Sequence, residues 1–272
     1  MKVYILVDME GISGVNEYDD WNPGNAAHQM TRARLADLMV GESNAAVHGA
    51  LAAGATTVVV RDGHGWSNTI PIEKLHPAAF LSQGRRIRHP LPDLEQDFAG
   101  MVMIGQQAKA GNLRGCLSHT YSRRIGSIQV NGSDVGEIAL NAALAGELGV
   151  PACFVSGDTE AIQEARSHLD GIVTVETKKS HSTLCTLSRS PATVRDEIAA
   201  GVTRALQQIR NVKPFSFAAP VRLQVTYHSL YVNIGRYMLR RQWRWGRLGG
   251  PRTIVYRGNS LTEVWRNFIA GA

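Results

Sequence analysis

A short apolar run near the start of the chain, Lys2 to Val7, leads directly into two carboxylates spaced i and i+2, Asp8 and Glu10. Comparable groups close later apolar runs. Asp62-Gly63-His64-Gly65 ends the second and Gly105-Gln106-Gln107 the third; Ser118-His119-Thr120 follows, and Glu137 opens a helical stretch. In parallel α/β sheets, ligands gather beyond the carboxyl ends of the strands. One site can therefore collect three carboxylates, Asp8, Glu10 and Glu137, and two histidines, His64 and His119. Hard oxygens and imidazole nitrogens are the donor mix of a hydrolytic zinc that keeps room for water. Two such ions sharing a bridging carboxylate could activate water and polarise an amide carbonyl. Each residue also has a plainer reading. His64 and His119 could be ordinary loop histidines, and Glu137 could simply favour its helix N-terminus. Asp8 and Glu10, directly after a buried strand, are harder to explain as packing. The joint pattern carries the weight.

These residues need strands and helices to position them. The sequence predicts strands over Lys2 to Val7, Thr56 to Val60, Met101 to Ile104, Ser127 to Val130 and Ala152 to Val155. Helices are expected from His28 to Gly54, from Gly136 to Gly149, and from Asp158, as N-cap, to about His168. Past residue 171 shorter strands are expected at Ile172 to Val175, Ser182 to Leu187, Val221 to Tyr227 and Thr253 to Tyr256. Ser190-Pro191 starts a helix to about Arg210, and Leu261 to Ile269 closes with another. The alternation indicates an α/β fold, a layered α/β/α core around a largely parallel sheet. We expect residues 1–170 to form the metal-site α/β domain. Residues 171–272 would form a smaller C-terminal α+β subdomain packed on it.

Composition narrows the function classes. The chain has 272 residues, 44% hydrophobic and 19% charged, so it can bury a sizeable core and is not a disordered polymer. Cys116, Cys153 and Cys185 cannot all pair and show no CxxC spacing, which speaks against a disulfide framework and for a reducing compartment. The opening apolar run is too short for a signal peptide, and no run approaches the roughly 20 residues that span a bilayer. The expectation is a cytoplasmic protein with no membrane partner. The formal net charge of +6 is concentrated: seven arginines and no acid lie between Arg236 and Arg257. The remaining 22 basic and 23 acidic residues nearly cancel. Arginines interleaved with Trp243 and Trp245 could contact nucleic acid. A solvated or subunit-contact surface is the reading favoured over it.

At this point the segments resemble a family. Val7-Asp8-Met9-Glu10-Gly11-Ile12-Ser13-Gly14-Val15, Asp62-Gly63-His64-Gly65, Ala108-Lys109-Ala110-Gly111, Leu117-Ser118-His119-Thr120 and Val130-Asn131-Gly132 through Gly136-Glu137 to Asn141-Ala142 are similar to the bacterial zinc D-aminopeptidases. The resemblance implies hydrolysis of small peptides or amides with an N-terminal D-amino acid. It makes Asp8 the bridging zinc ligand, gives Glu10 to one zinc, and gives His64 and Glu137 to the other. His119 matches the family's catalytic histidine. A homo-oligomer is implied, with a decameric ring as the candidate form. One position departs: the family's histidine ligand before Ala108 is Gln107 here, and an amide oxygen is a poorer zinc ligand than imidazole. This predicts one firm and one weakened metal site. The alternative is a weakened relative that serves as a binding or scaffold protein.

Overall fold

The computed structural model describes residues 1–18, 25–84, 89, 91–229, 247–250 and 252–270. Strand β1 (Lys2–Val7) is central, and Val3 to Val7 are all buried. A strand covered on both faces reads as a continuous apolar run rather than an alternating one. Its neighbours are β2 (Thr57–Asp62) and β4 (Phe98–Gln106), both parallel to it. Outside them lie β3 (Ala79–Ser82) on one side, and β7 (Ala152–Asp158), β8 (Val173–Ser182) and β9 (Cys185–Ser188) on the other. All neighbours pair in parallel except β8 and β9, which form an antiparallel edge.

The period-two geometry of β1 separates two cores. Val3, Ile5 and Val7 face a core that includes helices α1 (Ala26–Ala52) and α4 (Pro191–Gln207). Tyr4 and Leu6 face the other core, with α2 (Glu137–Gly146), α3 (Thr159–His168) and α5 (Leu261–Ala270). Helices α1 and α4 cross closely at Gly49, where a Cβ would lie 2.4 Å from the Ala199 carbonyl oxygen. Helix α1 begins two residues before the expected His28, because the Asn25 side chain accepts from the Ala27 and His28 amides. Asp158 caps α3 as expected, accepting from the Ala161 amide at 2.9 Å.

The strand expected at Ser127 to Val130 starts at Ile125 and belongs to a second, antiparallel sheet. That sheet runs in the order β11 (Arg247–Gly250), β12 (Thr253–Gly258), β10 (Val221–Tyr227), β5 (Ile125–Val130) and β6 (Ser133–Asp134). Both sheets draw strands from either side of residue 170. Among the described residues, no helix is long and apolar enough to cross a membrane. Arg236, Arg240, Arg241 and Arg244 of the basic segment lie outside the described residues.

Candidate metal centre

Strand order reverses around β1: the chain goes to β2 on one side and later to β4 on the other. Such a switch point opens a crevice at the strands' carboxyl ends. Asp8 and Glu10 leave β1 there, His64 follows β2, and Gln107 follows β4. The turn after β1 sits hard against β4. The Asp8 amide donates to Ile104 O at 2.8 Å, and the Gly11 amide donates to Gly105 O at 2.8 Å. A Cβ on Gly11 would stand 2.1 Å from Gln106 O, so only glycine fits.

Asp8, Glu10 and His64 each offer a ligand atom, and these atoms all lie within 4.8 Å of one another. His64 Nδ1 is 3.2 Å from both Asp8 Oδ1 and Glu10 Oε2. Donors about 2 Å from a tetrahedral ion stand roughly 3.3 Å apart, so this spacing and donor mix fit a divalent cation. The Asp62 carboxylate orders the loop that carries His64. It accepts from the His64 amide at 3.2 Å, the Thr69 amide at 2.6 Å and the Ile70 amide at 2.9 Å.

The electrostatics are those of crowded, dry carboxylates. Burial and the Glu10 charge push Asp8 up to about 6. Burial works against the Glu10 carboxylate too, but His64 outweighs it and holds Glu10 below the usual carboxylate range. Burial disfavours the His64 imidazolium, yet the Glu10 and Asp8 carboxylates raise its pKa well above the ordinary value. The cluster therefore favours a cation between its oxygens.

Glu137 and His119 lie beside this trio. Glu137 Oε1 accepts from Gln107 Nε2 at 2.8 Å and from the Tyr121 amide at 2.7 Å. Burial, then the Asp8 charge, raise the Glu137 pKa to about 8. Gln107 Oε1 is buried with no hydrogen-bond partner among the described residues. His119 Nδ1 is 2.9 Å from Leu117 O. A carbonyl only accepts, so Nδ1 carries the hydrogen and Nε2 is left free for proton exchange. Burial opposes the charged His119 ring, but Glu10 and Glu137 raise its pKa overall. The Tyr18 ring stands edge-on to it, centroids 6.4 Å apart.

The structure groups His64 with Asp8 and Glu10, whereas the resemblance implied His64 and Glu137 on one zinc and Glu10 on the other. Glu137, beside this cluster, is hydrogen-bonded to Gln107. Sequence reasoning missed Glu42, Thr177 and Lys178, which hold these groups, and gave Asp158 only its capping role; all four are buried. Glu42 Oε1 accepts from the Ser13 amide at 2.8 Å. Asp158 Oδ2 accepts from the Cys116 amide at 2.6 Å, anchoring the segment that leads to His119. A buried acid in a helix such as Glu42 is the one signal that could have pointed to this layer.

A family model described as D-aminopeptidase matches residues 1–269. A D-aminopeptidase from Bacillus subtilis (strain 168) is 34% identical over 217 residues, which is 79% of this chain and 77% of the relative. Among solved structures, the chain is similar to a Zn-dependent D-aminopeptidase DppA from Bacillus subtilis, described as a self-compartmentalizing protease. That comparison has a TM-score of 0.88 at 27% identity and covers 100% of this chain and 96% of the other.

Proposed function

The chain belongs to the D-aminopeptidase family, and from that premise we propose how its residues act as a zinc-dependent aminopeptidase. The substrates are small peptides or amides, with the N-terminal residue in the D form. The observation that carries this reading is the Asp8–Glu10–His64 cluster at the sheet's switch point.

In this reading Asp8, Glu10 and His64 hold zinc. When bound, zinc supplies Lewis acidity toward an amide carbonyl and toward water. Glu137 belongs to the same crevice, with its carboxylate oriented by Gln107 and Tyr121. His119 exchanges the proton at Nε2, because Nδ1 is committed to Leu117 O. Its raised pKa leaves it able to deliver that proton to the departing amine near neutral pH. Gln107 supports one firm metal position and one weakened one, since its amide nitrogen already serves Glu137.

The self-compartmentalizing relative supports a homo-oligomer of this chain; the decameric ring is the candidate form that the family resemblance implies. Free Cys116, Cys153 and Cys185 fit a reducing, cytoplasmic setting. Metal-depleted protein assayed on paired D- and L-aminoacyl amides, with and without added zinc, tests the function. Zinc-restored hydrolysis of the D series is expected. Zinc-independent hydrolysis, or none in either series, would overturn the reading.

A further inference from the structure

Thr177 and Lys178 are consecutive residues of β8, and both are fully buried. A regular strand sends neighbouring side chains to opposite faces. Here Gly157 of β7 pairs with Glu176, but Asp158 pairs with Lys178, so Thr177 is an extra residue in β8. A bulge of this kind re-aims side chains. Both side chains reach the turn that carries Asp8 and Glu10.

Lys178 Nζ donates to three carbonyl oxygens of that turn: Glu10, Ile12 (3.1 Å) and Val15. Thr177 Oγ1 donates to Gly11 O at 2.5 Å. An ammonium has three donors and no acceptor, so these three carbonyls use its full capacity. Three carbonyl dipoles converging on one buried point repel each other unless a cation sits between them. An apolar replacement would remove the ammonium from all three. Ile12 O would keep the Val15 amide at 3.2 Å and Val15 O the weak Cys116 thiol at 3.9 Å, while Glu10 O would lose its Lys178 donor. The turn has internal bonds of its own, Ile12 N–H to Met9 O at 3.0 Å and Val15 N–H to Ile12 O at 3.2 Å, but the Glu10 and Gly11 carbonyls are reached by the β8 side chains of Lys178 and Thr177.

We propose that Lys178 is a positioning residue of the metal centre. Its ammonium fixes the Glu10 backbone so that the Glu10 and Asp8 carboxylates meet His64 at cation-binding distance. The proposal rests on the reading of Asp8, Glu10 and His64 as metal ligands. Groups that orient metal ligands typically change metal affinity by about 10- to 100-fold when removed.

The test is zinc affinity, measured by competition with a chromophoric chelator, on wild type, Lys178→Met and Thr177→Val, with circular dichroism and urea unfolding as controls of folding. The visible spectrum of the cobalt-loaded proteins reports ligand geometry. The expected result is zinc binding weakened by about tenfold or more in folded Lys178→Met, with an altered cobalt spectrum. Thr177→Val should show a smaller weakening in the same direction. A folded Lys178→Met with wild-type zinc affinity and an unchanged spectrum overturns the proposal. If Lys178→Met does not fold, Thr177→Val decides: wild-type affinity there overturns it. A wild-type protein that binds no zinc removes the metal-centre reading itself, and this proposal with it.

Discussion

Gln107 Nε2 donates to Glu137 Oε1 at 2.8 Å, and both side chains are buried. The amide thus takes up an oxygen that would otherwise be offered to a cation, while its own oxygen has no hydrogen-bond partner among the described residues. An imidazole at the same place would present a nitrogen lone pair instead. We therefore expect Gln107→His to bind a second zinc ion per chain, read by metal analysis of chelator-free protein. A metal content equal to wild type would show that this position is not a lost ligand.

The proposed role of His119 is proton exchange at Nε2; its Nδ1 bond to Leu117 O orients the ring, an arrangement that metal-ligating histidines share, so zinc content separates the two roles. His119→Asn should lower kcat by about 10²- to 10⁴-fold with zinc content unchanged. Loss of zinc alongside activity would make it a ligand instead, and an unchanged kcat would remove it from the chemistry.

Burial raises the Glu42 pKa from 4.5 to about 7. A carboxyl whose folded pKa exceeds its unfolded value binds its proton more tightly in the fold. Its stabilising contribution is complete below about 4.5 and is lost as pH rises to about 7. Glu42→Gln should flatten that part of the stability–pH curve, a change on the order of 3 kcal/mol across the window. Urea unfolding at several pH values measures it; parallel curves for the two proteins would contradict the assignment.

Gly11 has no room for a methyl group, because a Cβ would meet the Gln106 carbonyl oxygen at 2.1 Å. The neighbour is backbone and cannot swing away. Gly11→Ala should destabilise the protein by roughly 3 kcal/mol and weaken zinc binding, since the same turn carries Asp8 and Glu10. An unfolding midpoint and zinc affinity equal to wild type would show that the turn yields.

Much of the parallel sheet could be read from the sequence, because buried strands announce themselves as unbroken apolar runs. Strand β1 was expected and found at Lys2–Val7, and Asp8, Glu10 and His64 were drawn from the ends of such runs. The second sheet was harder. Strand β5 pairs with β10, more than 90 residues away, and no local pattern marks which sheet a short strand joins. Lys178 was invisible for a related reason. In VTVETKKSHS nothing distinguishes it from the exposed Lys179, because a bulge is a property of the pairing with β7. The significance of Gln107 came from the family resemblance alone. Its hydrogen bond to Glu137 depends on a fold that brings the end of β4 to the start of α2.

Zinc content of protein purified without chelator, in wild type and His64→Ala, bears most directly on the Asp8–Glu10–His64 centre. We expect at least one zinc per chain in wild type and its loss in the variant, together with loss of D-aminoacyl amide hydrolysis. A wild-type protein without zinc, or a folded His64→Ala variant that retains zinc and activity, would contradict the account.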